Sequence, residues 1–582
     1  MKRPSLLLVA LFCLSLAGPA RAARNPFGVT IVRFAPGTIP AQMRAAASAA
    51  GADVVSDLSA IEALAVIPRS AGFAGRIRSQ RGVTAAFQDS VVKDNRGPDD
   101  AGSRGRSVNW HGQNDGDNGS FPDPWHDITS FLGVTNPERI LQWDDGRMNV
   151  PQAWRRTHGD RSVVVAVLDT GIQVSHPELV DRVDRSLGGS FIPCKELRQI
   201  LGELGLDQRG LRDCSERDKE GHGTWVASRI AGAANGFASN GVAPEVRIGN
   251  YKVLAAGFGG LTSWIIAGLV DACSSPKVDL VNMSIVGYLD PSNPYDAEDF
   301  LLWTDAVSYC RARGVGVFAS AGNEHVRIDR VNMRVGGRRL EGVGRVSTGR
   351  EGFVTVWPGS PSLDDYDARG LLESPGGVPG VTMVSSTANA IGSAPASVPL
   401  RWTQHVGARD QLAYYSNYGS RIDLAAPGGA RRYEIPGWDG GDGNILYGGW
   451  GSFGALVANG LICSDPVESS LRNSACFKLE GAGFGWLQGT SMSAPNAVGV
   501  AALTLSAHTE LRNSPVALAS RLAATARRNM ANYMGPNDPA NFAPAFDGTP
   551  CFTGYCHVDQ RHAIPFADAY GAGLVDAGAA VR

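Results

Sequence analysis

Between residues 162 and 322 strand-like apolar runs alternate with helical patterns, and few architectures tolerate that alternation. "SVVVAVLD" (162–169), "VRIGNYKVL" (246–254), "VDLVNMSIV" (278–286) and "VGVFASAG" (315–322) lack the polar alternation of a half-exposed strand. A sheet built from them has no face to give to water. The stretches between them, "TWVASRIAG", "LTSWIIAGLVDAC" and "FLLWTDAVSYCRARG", read as helices long enough to make crossovers. The predicted fold class is therefore α/β, a doubly wound parallel sheet covered by helices on both faces.

The chain has 582 residues, enough for two folded units plus removable segments. Its 54 Lys and Arg balance 56 Asp and Glu, so nothing calls for a nucleic-acid or membrane partner. The opening "MKRPSLLLVALFCLSLAGPARA" pairs Lys2 and Arg3 with an apolar run and small residues at Ala20 and Ala22, the pattern of a signal peptide over 1–22. That run is too short to span a bilayer, and export to an extracellular or periplasmic compartment is the expectation. Eight cysteines then remain, and neighbours are expected to pair: Cys194 with Cys214, Cys273 with Cys310, Cys463 with Cys476 and Cys551 with Cys556. Zinc is the competing reading of the last pair, with His557 beside it, but no second ligand pair matches its spacing.

Residues 27–92 read β-α-β-β-α-β, a small split-βαβ unit of the ferredoxin-like α+β kind. From about Asp94 to Pro124 the chain turns poor in aliphatic residues and rich in Gly, Asp and Asn, an exposed linker open to proteolysis.

Four short motifs carry chemistry. "SVVVAVLD" ends on Asp169, at the carboxyl end of a buried strand where α/β folds place ligands. "GHGTWVAS" opens a helix on His222, "ASAGNE" ends a strand at Asn323, and "GTSMSAP" opens a helix around Ser491 and Ser493. Singly, these are a turn, a cap, a strand end and a helix start. Together they supply a hydroxyl to attack, an imidazole to carry its proton, a carboxylate to hold the tautomer and an amide donor for an oxyanion.

In the order Asp, His, Ser, and in the texts "VAVLDTGIQVSHPEL", "GHGTWVAS", "ASAGNE" and "GTSMSAPNAVGVAAL", the chain resembles the subtilisin-like serine peptidases, with similarity from about Gln142 to the closing "YGAGLVDAGAAV". The resemblance implies that Asp169 orients His222, that His222 is general base and then acid, that Ser491 is the nucleophile, and that Asn323 serves the oxyanion. Ser493, two residues on along a helix, points elsewhere, and Pro495 is read as a first-turn residue. Ser284, Ile285 and Val286 match a strand that pairs with an extended polypeptide substrate, and Val286 stands where Gly is frequent. Residues 23–95 resemble the family's propeptide, an intramolecular inhibitor and chaperone, 96–140 the processing region, and 141–582 the peptidase domain. No catalytic cofactor is implied. The loop "AANGFASNGVAP" resembles a structural calcium loop, with Asn235 and Glu178 as its side-chain ligands.

Two departures stand out: Trp225 and Asn496 occupy positions where many relatives have His. Segments near 181–219, 324–375 and 430–485 exceed the family core. The expectation is a monomeric, secreted, self-processing endopeptidase, with a non-catalytic peptide-binding relative as the alternative. An α/β-hydrolase esterase is excluded by the order of the triad and by the lack of G-x-S-x-G around the serine.

Overall fold

The amino-terminal strands are short and rich in Val, Ile and Ala, and each has buried residues on both of its faces. In the computed structural model, which describes residues 27–94, 142–203, 213–356, 366–388, 412–413, 415–429, 452–464, 476–530, 555–556 and 564–582, this unit comprises β1 (Thr30–Phe34), α1 (Pro40–Ala49), β2 (Ala52–Leu58), β3 (Ala63–Pro68), α2 (Phe73–Arg78) and β4 (Val83–Gln88). The signal segment 1–22, the linker 96–140 and Cys551 lie outside the described residues. The strands form an antiparallel sheet in the order β2-β3-β1-β4. Val32, Leu64, Val66 and Ala86 face α1 and α2, whereas their neighbours Ile31, Ala63, Ala65 and Phe87 face the rest of the chain. A fifth strand, β5 (Val91–Asp94), leaves this sheet and joins another, described below.

The main body is a seven-stranded, wholly parallel sheet. Its strands are β6 (Val164–Asp169), β7 (Val183–Ser190), β8 (Arg247–Lys252), β10 (Leu280–Met283), β12 (Gly316–Ser320), β18 (Thr382–Thr387) and β19 (Leu424–Pro427), in the order β19-β18-β12-β10-β6-β8-β7. From β6 the chain winds first towards β7 and β8 and then back to β10 on the other side, so the topological switch, the usual ligand site of such sheets, is at the carboxyl end of β6. Asp169 is there. One face packs on α6 (Thr262–Ser274) and α7 (Pro294–Ala312), the other on α5 (His222–Ala231) and α8 (Thr490–Ala507). No described helix is long and apolar enough to cross a membrane.

The insertions become definite structures. The first contains the edge strand β7 and then α4 (Cys194–Glu203), clipped by a Cys194–Cys214 disulfide; α3 (Trp143–Arg147) opens the body ahead of β6. Cys273 pairs with Cys310, joining α6 to α7, and Cys463 is disulfide-bonded too. The second insertion makes the hairpin β13 (Ile328–Val335) and β14 (Arg338–Val346), the short strands β15 (Phe353–Val356) and β16 (Tyr366–Asp367), and β17 (Leu372–Ser374). β17 pairs with β11 (Ile285–Leu289). The third is an antiparallel sheet of β20 (Ser452–Leu456), β21 (Cys476–Leu479) and β22 (Ala482–Leu487), laid against α5.

Candidate active site

Asp169 closes β6 with its side chain buried, and Oδ1 accepts the backbone N–H of Thr170 at 2.7 Å. His222 is the first residue of α5, and its Nδ1 lies 2.7 Å from the same Oδ1. A buried carboxylate accepting at Nδ1 puts the proton of the neutral ring there and leaves Nε2 as the basic edge. The start of α5 is held by Asp218, a residue the motif reading missed. Its carboxylate takes the Thr170 hydroxyl at 3.0 Å, the N–H groups of Glu220, Gly221 and Thr224 at 2.8 to 2.9 Å, and the Thr224 hydroxyl at 2.7 Å. Burial pushes Asp218 above the usual carboxylate range, against the pull of these donors. The signal was in the text: "DKEGHGT" places an Asp four residues before the His and a Thr two after it, a side-chain-capped turn.

Ser491 sits in the first turn of α8, beyond Gly489, whose φ of 145° is one that L side chains rarely adopt. Its Oγ donates to the Ser284 carbonyl at 3.2 Å, and the Ser284 hydroxyl donates to the Ser491 carbonyl at 2.8 Å. Pro495 corrects the sequence reading: it is the sixth residue of α8, beyond the first turn. A proline there cannot donate to the carbonyl four residues earlier, which is that of Ser491. Ser284 supplies the missing hydrogen bond, so the proline ties the first turn of α8 to the neighbouring strand. Ser493 donates its hydroxyl to Thr490 O at 2.8 Å and belongs to its own helix.

Asn323 follows β12. Its Oδ1 accepts the N–H of Thr490 at 2.8 Å and the Thr490 hydroxyl at 3.0 Å, which turns the Nδ2 end of the amide away from Thr490. Next to it Glu324 is half-buried, bonded by the Tyr288 hydroxyl at 2.5 Å and the Asn417 amide at 3.0 Å; desolvation pushes its carboxyl up. Glu373, opposite Tyr288 across the β11–β17 pair, is raised well above its ordinary value by burial, against the attraction of Arg421. Motif reading did not single out this acid pair.

Ser284, Ile285 and Val286 lie where β10 passes into β11, and β5 runs antiparallel to them, with Ile285 opposite Asp94 and Val286 opposite Lys93. On its other side β5 pairs with β9 (Gly260–Leu261). The last described strand of the amino-terminal unit thus lies between β9 and β11, and β11 begins beside the Ser284 that bonds Ser491.

Glu178 and Asn235 serve the 233–240 loop directly. Glu178 Oε1 accepts the N–H groups of Ala238 and Ser239 at 3.2 and 3.0 Å, and Asn235, exposed, takes the Phe237 N–H at 2.9 Å. Gln142 holds Asn240 through two hydrogen bonds of 2.7 and 2.8 Å. No cluster of three His, Cys, Asp or Glu forms among the described residues. Calcium on Glu178 and Asn235 stays a proposal, and no step is derived through it.

The two departures have structural partners. Trp225, fully buried, donates Nε1 to Gly485 O at 3.3 Å, and the Ser228 hydroxyl accepts the Ala455 N–H at 3.0 Å, so the third insertion covers the face of α5 that these residues present. Gly454 is needed there, since a Cβ would meet Ser228 and Trp225 at 2.9 Å. His176, pushed down to about 4 by burial, pins β22 through Nε2 and Gly483 O at 3.0 Å. Asn496 bonds Arg229 of α5.

The sequence model of the subtilase family matches residues 160–543. The chain belongs to the subtilase family. It is 31% identical over 208 residues to the major intracellular serine protease of Bacillus subtilis, covering 35% of this chain and 57% of that protein. It is 34% identical over 183 residues to subtilisin Savinase of Lederbergia lenta, covering 31% and 56%. The matches thus span little more than half of those relatives. Among solved structures it resembles the epidermin leader peptide processing serine protease of Staphylococcus aureus, with TM-score 0.58, 14% identity and coverage of 95% and 97%. It also resembles fervidolysin of Fervidobacterium pennivorans, with TM-score 0.53, 17% identity and coverage of 95% and 60%. At such identities the likeness establishes the subtilisin-like fold alone. The subtilase match includes Asp169, His222, Asn323 and Ser491 within its bounds.

Proposed function

We propose that this subtilase is a secreted serine endopeptidase, made as a zymogen that cuts its own chain. Ser491 Oγ attacks a peptide carbonyl while His222 takes its proton at Nε2, and the Asp169 carboxylate stabilises the resulting imidazolium. Asn323 Nδ2 and the Ser491 N–H receive the charge that develops on the carbonyl oxygen. His222 then returns the proton to the leaving amine, and water hydrolyses the ester bond to Ser491 by the same route in reverse. The buried 2.7 Å Asp169–His222 pair supports these roles.

The observation that carries the reading is β5. An extended segment of the chain's own lies antiparallel on Ile285 and Val286 and on Gly260 and Leu261, as a polypeptide substrate would by strand addition. Asp94, the last described residue of this strand, lies opposite Ile285, the neighbour of Ser284, whose carbonyl accepts from Ser491 Oγ. Cleavage is accordingly assigned to the bond between residues 95 and 96, and residues 23–95 to an inhibitor that holds the site until it is released. The enzyme is proposed to act as a monomer.

Ser491→Ala protein, expressed without other peptidases, should keep residues 23–95 in one covalent chain while the parent loses them, and mass spectrometry should give a mature amino terminus at Arg96. Cleavage of the inactive variant in the linker would assign maturation to another enzyme.

A further inference from the structure

A second contact between the two catalytic helices lies away from the reacting groups. Arg229 is seven residues beyond His222 on α5, two helical turns and roughly 10 Å along the same face. It is fully buried. Its Nε and Nη2 donate to Asn496 Oδ1 on α8 at 3.3 and 3.1 Å, Nη2 lies 2.7 Å from Asp145 and 3.2 Å from Asp144, and Nη1 donates to Asn240 O at 2.9 Å. Asn496 Nδ2 in turn donates to Pro427 O at 2.8 Å, at the end of β19, and the next carbonyl, that of Gly428, accepts from Gly489 at 3.3 Å at the start of the nucleophile turn. Asp144 is held further by the Ser452 hydroxyl, from the third insertion.

Resting on the functional reading above, the geometry points to Arg229 and Asn496 as positioning residues that set the register of the His222 helix against the Ser491 helix, with Asp144 and Asp145 holding the guanidinium in place. Burying an arginine between two carboxylates is a poor way to gain stability, because apolar side chains of equal volume do as well or better; fixing one register is the best-attested use of such a group. A shift of α5 by one residue, about 1.5 Å, would break the Asn496 bonds and carry His222 the same distance from Ser491. A misplacement of about 1 Å at reacting groups costs on the order of 100-fold in rate. The lock touches neither substrate nor reacting atoms, so its loss acts on turnover and not on substrate binding.

The test compares the full chain with its Asn496→Leu variant, which removes the acceptor, using a short peptide substrate and a serine-directed phosphonate. Asn496→Leu should lower kcat and the rate of Ser491 labelling by about 10- to 100-fold with KM within about twofold. Parental kcat and labelling in a folded Asn496→Leu protein, or a loss confined to KM, would overturn the assignment. Should Asn496→Leu not fold, Arg229→Lys decides: it keeps the charge facing Asp145 but not the fork that grips Asn496, so the same slowing is expected and parental turnover refutes the lock. Activity surviving in Ser491→Ala on the same substrate would instead refute the functional reading.

Discussion

Docking of the amino-terminal unit should depend steeply on pH, because two carboxyl groups are buried where it meets the body. Asp89 lies between β4 and β5, with Oδ2 2.5 Å from the Ser263 hydroxyl and Oδ1 accepting the Ser263 N–H at 3.2 Å. Asp299, on α7, meets the Thr262 hydroxyl at 3.2 Å. Burial, with each acid near another, pushes Asp89 up to about 8 and Asp299 up to about 7, from an ordinary 3.8. The other charged groups facing this seam are Asp296, Glu298 and Asp305 on α7 and Arg33 on β1; Arg33 pairs with Glu298 at 3.2 Å and with Asp305. These ion pairs favour docking through neutral pH.

Both acids have docked values above their free ones. Their contribution is complete below about pH 4 and is lost as pH rises through 7 and 8. Where both are protonated docked and ionised free, each pH unit costs about 1.4 kcal/mol per group, so docking weakens by about 5 kcal/mol from pH 5 to pH 7. It weakens more slowly up to pH 8 and then levels off. Hydrogen exchange on the uncut Ser491→Ala chain reads this, as protection in β1 to β5 and the first turn of α6 after correction for the intrinsic rate. Asp89→Asn with Asp299→Asn mimics the protonated pair and should flatten the profile. A parent profile without slope between pH 5 and 8, or a double variant with the parent's slope, would refute the reasoning.

Asn323→Leu should lower kcat by roughly 100- to 1,000-fold with little change in KM, as loss of one oxyanion donor does, and steady-state kinetics with a short peptide measures it. Trp225→Ala should cost about 3 to 5 kcal/mol, since it empties a buried site between α5 and β22; denaturant unfolding of the Ser491→Ala background gives the value, and a loss below about 1 kcal/mol would mean that the third insertion does not brace α5. Non-reducing peptide mapping should join Cys463 to Cys476, and a crosslink from Cys463 to any other cysteine refutes that pairing. Reducing Cys194–Cys214, which closes a loop of 20 residues, should cost about 3 kcal/mol.

Much of the site was legible because its signals are local. An unbroken apolar run announces a strand buried on both faces, Gly489 announces a turn that other residues resist, and the order of four motifs identifies the family. The amino-terminal sheet and its two helices follow from hydrophobic period and glycine stops in the same way. What stayed hidden is what depends on distance between elements far apart in the chain. Asp169 and His222 are 53 residues apart, and only the paired ends of β6 and α5 make them 2.7 Å neighbours. Trp225 and Asn496 read as departures from a family pattern, and their partners, an inserted sheet 260 residues away and an arginine 267 residues away, could not be inferred from local text. Pro495 read as a harmless first-turn residue; tertiary structure made it the reason that Ser491's carbonyl is left for Ser284. The sequence by itself determined which groups are present and which secondary structure carries them, because propensity and pattern act over a few residues. The tertiary structure alone decided which buried polar groups satisfy one another, because a hydrogen bond is won or lost over a few tenths of an ångström that no periodicity encodes.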